Sequence, residues 1–484
     1  MSSAFQVSDE LEGTCSPVKG YQYELEVDEK QNNKASELRV FHGSRPHMRA
    51  FQCAWWSLFV AFFVWFTIMP LMPDIQKTLQ LTEKQVWNST IISGGGAVLI
   101  RLILGPLCDM YGARTPFAVL LCLVSIPTAM IGLVNSVNGL YIVRCFIGMA
   151  GGAFVMSQHW TTSMFTLEIV GTANGVAAGW GNLGATVTQL LIGTMLLPLF
   201  KILFESGDRT DEKAAELAWR SVSIIPAIVA LLTGIVMYYV SDDSPKGNYS
   251  DLKKKELMSE VSFLGSFSEA ARNPATWIMA IQYACCFGVE LTMNTVAVMY
   301  FRREFSQPVE VAAAIAAIFG WMNLFARGLG GHLSDMAMAH MGMRGRISVH
   351  SLFLFGEGVL VFIFANTKGL AASIVVMMIF SIFVQAAEGT SFGIVPYICP
   401  TATGSVTGIV GAGGSVGAIL FGLAFREYGF DQSFVIMGAA VLCSTFLSAF
   451  LFISKDHSSL FFPARRPGSP EFSRGNVVAN NNPL

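Results

Sequence analysis

The chain has 484 residues, of which 53% are hydrophobic and only 13% charged, and its mean hydropathy is +0.52. Soluble domains carry about 25% charged residues, so this composition predicts a protein with many membrane-spanning segments. The net charge of −2 does not bear on nucleic-acid binding, but no basic run of the needed density is present, so no nucleic acid is expected as a partner. The nine cysteines show no metal-ligand spacing, and no nucleophile–base set or nucleotide loop lies outside the apolar segments. The sequence therefore predicts no metal, no cofactor and no enzyme activity.

The apolar segments divide the chain into regular windows. The N-terminal region is polar and lacks the apolar stretch of a cleavable signal, so the first apolar helix, from about Phe51, is expected to act as an uncleaved insertion signal. A helix needs roughly 20 mostly apolar residues to cross a bilayer. Twelve such windows can be placed: 51–70, 87–108, 115–135, 139–165, 172–198, 219–240, 275–300, 309–333, 347–366, 370–396, 402–425 and 433–454.

We expect these windows to form two six-helix bundles, at 51–240 and 274–454, joined by a charged linker at 241–273. The polar tails, 1–50 and 455–484, are predicted to be disordered. An even number of spans places both tails on one side of the lipid bilayer. Lys and Arg are more frequent in the loops of that side, which assigns the tails to the cytoplasm.

The two halves repeat. Arg101–Asp109 and Arg327–Asp335 both read R-x-x-x-G-x-x-x-D, and Gly181–Gly184 in the fifth window is echoed by Gly414–Gly417 in the eleventh. A charged side chain in the bilayer core costs roughly 3 kcal/mol or more and is normally kept for a function. Parallel repeats of this kind are typical of a two-bundle secondary transporter. The sequence therefore predicts an all-α fold of two pseudo-symmetric six-helix bundles, with a paired cationic site for a small anion between them.

The loop after the first arginine, Gly105-Pro-Leu-Cys-Asp109-Met-Tyr-Gly112-Ala-Arg114, resembles the signature loop of the major facilitator superfamily. Gly331–Asp335 begins the matching loop of the second half. Small residues let helix ends approach closely, and an aspartate there can accept hydrogen bonds from helix N-terminal amides or pair with an arginine. We interpret both loops as structural and conformational elements rather than substrate contacts.

A narrower resemblance lies in the fifth window, where Ala178–Gly184 reads A-G-W-G-N-L-G. This run is similar to the signature of the nitrate/nitrite porter family, and Gly411–Gly417 is similar to its counterpart in the second half. Agreement extends to Gln158-His159-Trp160 and to Gly288–Thr292, and covers roughly 51–454. The chain is most similar to the eukaryotic high-affinity nitrate transporters. This resemblance implies the major facilitator fold and nitrate as the substrate.

The resemblance also implies a set of residues that bind the anion, to which Ser415 is added by its symmetry with Asn182: Arg101, Arg327, Asn182, Tyr283, Phe287 and Ser415. Nitrate and guanidinium are both planar, and guanidinium donors suit bidentate oxygen contact. Two arginines facing one anion would leave a local charge of about +1, so binding would relieve their repulsion. Asn323 precedes Arg327 by one helical turn and is placed to orient it. Without the resemblance, Tyr283 and Phe287 would be interpreted as helix packing.

Several other ionisable residues fall inside the windows, among them Glu290, Glu357, Glu388 and Arg144. A buried carboxylate can take up a proton, and Glu290 falls on the same helix face as Tyr283, so Glu290 is the first candidate for proton coupling. An equally weighted alternative is that Glu290 or Glu388 neutralises an arginine. We interpret Arg144 as a packing or ion-pair residue of the fourth helix.

These observations predict a secondary transporter that imports nitrate, with nitrite as a second substrate, by alternating access. The potential of a negative cell interior opposes anion uptake by about 2.3 kcal/mol per charge per 100 mV, so import needs a driving ion, and the resemblance indicates proton symport. Nitrate/nitrite exchange is one alternative. A transport-inactive nitrate sensor or partner-dependent regulator is another. The expected location is the plasma membrane, and a single-span accessory subunit is a candidate partner.

Overall fold

The computed structural model describes residues 23–205, 211–258, 260–453 and 459–461. Within them, twelve helices are long and apolar enough to cross a membrane, which agrees with the number of predicted windows. We number them as spans 1 to 12 in chain order: His47–Leu79, Glu83–Tyr111, Arg114–Leu133, Val137–Met164, Val170–Phe204, Asp211–Val240, Pro274–Phe305, Val311–Met341, Met343–Asn366, Leu370–Ile398, Thr403–Glu427 and Phe430–Phe450. Most spans begin or end several residues beyond the predicted windows, since polar residues continue the helices past the apolar core.

Irregular turns interrupt the α-helical backbone of several spans, three of them, of 3-10 or π-helical form, at positions away from the span's last turn. Span 4 has a 3-10 turn at Met149–Gly152, span 8 has one at Met322–Leu324, and span 5 has a π-helical turn at Leu191–Leu196. Irregular backbone is tolerated in membrane helices where protein surrounds it, and such turns often lie at functional positions. The turns of spans 4 and 8 each contribute a group to the site described below.

Glycines bring the two halves of the chain into backbone contact. Span 2 packs against span 11, and span 5 packs against span 8. A Cβ added at Gly408 of span 11 would overlap the carbonyl of Arg101, and one added at Gly175 of span 5 would overlap the carbonyl of Arg327. Small residues permit this approach, as in many membrane helix pairs. Each arginine therefore lies on a helix that is held directly against the other half.

The linker between the halves contains two short helices, Tyr249–Lys254 and Phe263–Arg272. We call the side of the molecule that carries them the linker face, and the other side the opposite face. Spans with odd numbers run from the linker face to the opposite face, and spans with even numbers return. This topology places the loops after spans 2 and 8 at the linker face.

The prediction that the whole N-terminal tail is disordered is wrong for the residues from 23 onward, while residues 1–22 lie outside the described part. Two short antiparallel strands, Val27–Asp28 and Lys34–Ala35, form a hairpin at the linker face. The Lys34 ammonium donates to the carbonyl of Thr162 at 2.8 Å, and the Ala35 carbonyl accepts from the amide of Thr166 at 3.0 Å. These polar groups form hydrogen bonds with backbone groups at the end of span 4. Hydropathy measures only apolar character, so it does not predict this role.

Candidate functional site

Arg101 lies in the middle of span 2 and is fully buried. Its Nε donates to the carbonyl of Gly151 in the 3-10 turn of span 4 at 2.9 Å, and its Nη1 donates to the carbonyl of Gly411 in span 11. The guanidinium lies 5.0 Å from the ring centroid of Phe287 and 5.6 Å from that of Phe154. No carboxylate of the described residues pairs with it. Arg101 is thus a buried cation held by carbonyls and aromatic faces.

Arg327 has different surroundings. Its Nη2 donates to Glu290 Oε2 at 2.7 Å, and it also forms an ion pair with Glu388. Asn323 donates to Glu290 Oε1 at 2.5 Å and Asn182 donates to Oε2 at 3.1 Å, so Glu290 receives hydrogen bonds from spans 5 and 8. The predicted alternative in which a glutamate neutralises an arginine therefore describes both Glu290 and Glu388.

This pairing corrects the predicted local charge. With both glutamates ionised, the two arginines and the two carboxylates sum to zero rather than leaving an excess of positive charge. The charge is unevenly distributed, because both carboxylates contact Arg327 and neither contacts Arg101. Arg101 is therefore the more electropositive end of the site.

An aromatic stack lies beside the two guanidiniums. The rings of Tyr283 and Phe287 are nearly parallel, with centroids 5.2 Å apart and an interplanar angle of 8°. Phe154 of span 4 stacks against both at 5.7 Å, and Phe392 of span 10 meets Phe154 edge-on at 4.9 Å. Gly414 of span 11 lets the stack approach, since a Cβ there would overlap both stacked rings of span 7.

Several buried donors near this stack have no hydrogen-bond partner among the described residues: Arg101 Nη2, Arg327 Nε, Arg327 Nη1, Tyr283 OH and Ser415 Oγ. An unsatisfied buried donor costs about 1–3 kcal/mol, and more if it is charged. The Tyr283 ring stacks on Phe287, whose ring centroid lies 5.0 Å from the Arg101 guanidinium. A small planar anion with several oxygens could accept from these donors, so the arrangement fits an oxyanion.

The described residues include no group of three or more His, Cys, Asp or Glu side chains that could hold a metal.

Of the residues predicted from the sequence, all six anion-binding candidates and Glu290 are buried in the middle of the molecule. The side-chain amide nitrogen of Asn182 donates a hydrogen bond to Glu290, and its Oδ1 has no hydrogen-bond partner within the described residues. Sequence reasoning missed Phe154 and the carbonyls of Gly151 and Gly411, because no local pattern distinguishes them.

The linker face is closed by two aspartates in equivalent positions. Asp109, at the end of span 2, accepts from the amides of Gly404 and Ser405 at 2.7 and 2.9 Å, where span 11 begins. Asp335 of span 8 accepts from the amides of Gly171 and Thr172 at 3.0 and 2.6 Å, where span 5 begins. Each carboxylate thus binds the N-terminal amides of a helix from the other half, as the loop motif predicts.

The opposite face is closed as well. Arg303 pairs with Glu83 at 3.1 Å, and Arg426 donates to Asn88 at 2.8 Å, in both cases joining the two halves. Gln189 of span 5 also donates to a carbonyl of span 7. The two halves are thus in contact at both faces, and both arginines are buried between them.

Three further ionisable side chains lie away from the arginine pair. Arg144 donates to the Ser89 carbonyl and the Thr90 hydroxyl of span 2, and it forms no ion pair among the described residues. Both oxygens of Glu357 are buried without a hydrogen-bond partner in the described part of the chain. His159 Nδ1 lies 3.8 Å from Asp109 Oδ1 at the linker face.

The comparisons with known proteins agree with this architecture. The sequence profile of the Major Facilitator Superfamily matches residues 54–422. High affinity nitrate transporter 2.5 of Arabidopsis thaliana is 36% identical to the chain over 436 residues, which cover 89% of this chain and 85% of that protein. The chain belongs to the nitrate/nitrite porter family of the Major Facilitator Superfamily. The predicted transporter class, as opposed to an enzyme, is confirmed.

Other relatives extend this similarity. High-affinity nitrate transporter 2.3 of Oryza sativa subsp. japonica is 36% identical over 91% of this chain and 84% of its own length. The nitrate/nitrite transporter NrtP of Picosynechococcus sp. is 29% identical over 80% of this chain and 85% of its own. Among solved structures, the proton:xylose symporter XylE has a TM-score of 0.62 at 14% identity, covering 87% of this chain and 98% of that one. This likeness establishes the major facilitator fold.

Proposed function

We propose that the protein imports nitrate by proton symport, with Arg101 and Arg327 holding the anion between the two halves. The observation that carries the proposal is the pair of buried guanidiniums on opposite halves, each with donors that lack a partner among the described residues. Relatives that are named nitrate transporters support nitrate as the substrate, and NrtP supports nitrite as a second one. Tyr283 and Phe287 would cover the planar face of the anion, and Asn182 and Ser415 would contact its oxygens.

The charges around Arg327 give a physical reason for proton coupling. With both carboxylates ionised, the empty site is neutral, so a bound nitrate leaves a net charge of −1 in a low-dielectric interior. One proton on a carboxylate restores neutrality. A second proton would make the loaded site positive, and a negative interior would then drive it inward.

The contacts distinguish the two carboxylates. Glu290 was the first candidate for proton coupling from the sequence. It would, however, keep the hydrogen bonds from Asn323 and Asn182 when nitrate replaces it as the partner of Arg327. Among the described residues, Glu388 has Arg327 as its one partner. A carboxylate that loses its counter-ion in an apolar interior must take a proton. We therefore assign the coupled proton to Glu388 and a positioning role toward Arg327 to Glu290.

Alternating access would then use the two closed faces in turn. Opening the linker face requires Asp109 and Asp335 to release the N-termini of spans 11 and 5. Opening the opposite face requires the exposed pair Arg303–Glu83 and the contacts around Arg426 to separate. We place the linker face and both termini in the cytoplasm because Lys and Arg favour the loops of the linker side. The plasma membrane is the location we propose for a protein that imports nitrate.

The test is nitrate uptake into proteoliposomes that contain the purified chain alone, with and without an inward proton gradient. Arg101→Lys keeps the charge but removes the planar fork, and should abolish uptake. Glu388→Gln should retain nitrate exchange and lose stimulation by the gradient, whereas Glu290→Gln should weaken nitrate binding.

Three outcomes would redirect the proposal. Uptake that ignores the proton gradient but is stimulated by internal nitrite would replace symport with exchange. Binding without flux would indicate a sensor or a requirement for an accessory subunit, which co-reconstitution would separate. Full activity of Arg101→Lys would remove the arginine pair from the site.

A further inference from the structure

A cavity lies between spans 1, 2, 4, 7 and 11, on the side of the arginine pair toward the opposite face. Its volume is about 70 Å³, enough for several water molecules and so for a small anion. Arg144 is the one charged residue among those that line it, and no lining residue carries a carboxylate. The cavity is therefore an electropositive space between the arginine site and the opposite face.

The cation in its wall is not neutralised. Arg144 is 2% exposed, and its Nε and Nη2 donate to the Ser89 carbonyl at 3.3 Å and the Thr90 hydroxyl at 2.7 Å. Within the described ranges it forms no ion pair. Two neutral acceptors leave part of the guanidinium's five-donor capacity unused. An uncompensated charge buried in a membrane protein is expensive, which makes a purely structural role an incomplete account of Arg144.

The inner end of the cavity reaches the residues that surround Arg101. Ser415 lines it, and the hydroxyl of this buried residue has no partner within the described part of the chain. Trp65 lines it too, with its ring centroid 6.0 Å from the Arg101 guanidinium and its Nε1 donating to Ser93 Oγ at 3.0 Å. Trp65 thus stands between the cavity and Arg101.

We propose that this cavity is a second anion site, which takes nitrate or another small monovalent oxyanion and has Arg144 as its cation. The anion would reach this outer site first and pass to Arg101 when Trp65 moves aside. This inference rests on the proposed transport of nitrate, and it adds a binding step on the path from the opposite face.

The experiment is a measurement of binding stoichiometry with isotopically labelled nitrate on the purified full-length chain. Two nitrates should bind per wild-type chain, one to Arg101→Gln, one to Arg144→Gln, and none to the double variant. Arg144→Lys keeps the charge and should retain the outer site with weaker affinity. Arg426→Gln is the matched control, since it removes an arginine near the opposite face that does not line the cavity, and it should leave two sites.

In uptake assays Arg144→Gln should raise the KM for nitrate roughly tenfold, the size expected for losing a charged hydrogen bond. Thr295→Phe is the substitute if Arg144→Gln does not fold, because Thr295 lines the cavity and, in the described part of the chain, its hydroxyl hydrogen-bonds only to its own helix. It should also leave one site. A wild-type stoichiometry of one with normal uptake overturns the outer site alone, and two sites in both Arg144→Gln and Thr295→Phe overturn it as well. A wild type that neither binds nor transports nitrate overturns the proposed function itself.

Discussion

The two arginines that the sequence pairs should respond very differently to neutralisation. Arg327→Gln leaves Glu290 and Glu388 buried without their cation, whereas Arg101→Gln removes a cation that no described carboxylate balances. Breaking a buried ion pair by removing one partner destabilises because the remaining charge is stranded. We therefore expect Arg327→Gln to lower stability strongly and Arg101→Gln to change it little.

The structure sets the size of the difference. Removing one partner of a buried pair costs about 3–5 kcal/mol, and Arg327 serves two carboxylates, so its loss belongs near the upper end of that range. Arg101→Gln loses two hydrogen bonds to carbonyls, worth about 1.5–3 kcal/mol each, but also removes a desolvated charge whose burial costs several kcal/mol. These contributions nearly offset each other.

The assay is the apparent unfolding temperature of each purified variant in one detergent without nitrate. Arg327→Gln should fall by about 5–10 °C, while Arg101→Gln should stay within about 2 °C of wild type. Adding Glu290→Gln and Glu388→Gln to Arg327→Gln should recover most of the loss, because the stranded charges disappear. Equal losses for both arginine variants, or no recovery in the triple variant, would refute the assignment of both carboxylates to Arg327.

Three further predictions concern other parts of the molecule. Asp109→Asn should weaken the hydrogen bonds between Asp109 and the N-terminus of span 11. In a chain that keeps Cys108 as its one cysteine, maleimide labelling of this fully buried residue should then increase. Unchanged labelling would contradict a role of Asp109 in holding the linker face closed. Gly414→Val should raise the KM for nitrate roughly tenfold by displacing the ring of Phe287, with the exposed Gly429, which has open space around it, as the matched glycine position. Burial lowers the pKa of Lys34 to about 8. Because its folded-state pKa lies below the unfolded value, the docked hairpin gains stability as pH rises above 8. The unfolding temperature of wild type should therefore rise relative to that of Lys34→Met from pH 7 to pH 9, and a difference that does not change with pH would contradict the burial of a charged lysine.

The sequence determined most of the membrane fold. Backbone groups in a bilayer must be satisfied within each segment, so long apolar windows must become helices, and their number follows from hydropathy. The repeated R-x-x-x-G-x-x-x-D element also indicated the two aspartate contacts at the linker face, because the motif specifies both a close approach and an acceptor. The ordered hairpin at residues 27–35 was not predicted, since its stability comes from bonds to span 4 rather than from apolar burial.

The sequence by itself also located the two arginines, because a charge inside an apolar window is visible without any structure. Only the tertiary structure decided which carboxylates each arginine meets. Glu290 and Glu388 lie on spans 7 and 10, far from Arg327 along the chain, and both converge on it rather than on Arg101. Helical periodicity gives the face on which a side chain lies, but not the helix that covers that face. The neutral charge balance of the site depends on that packing.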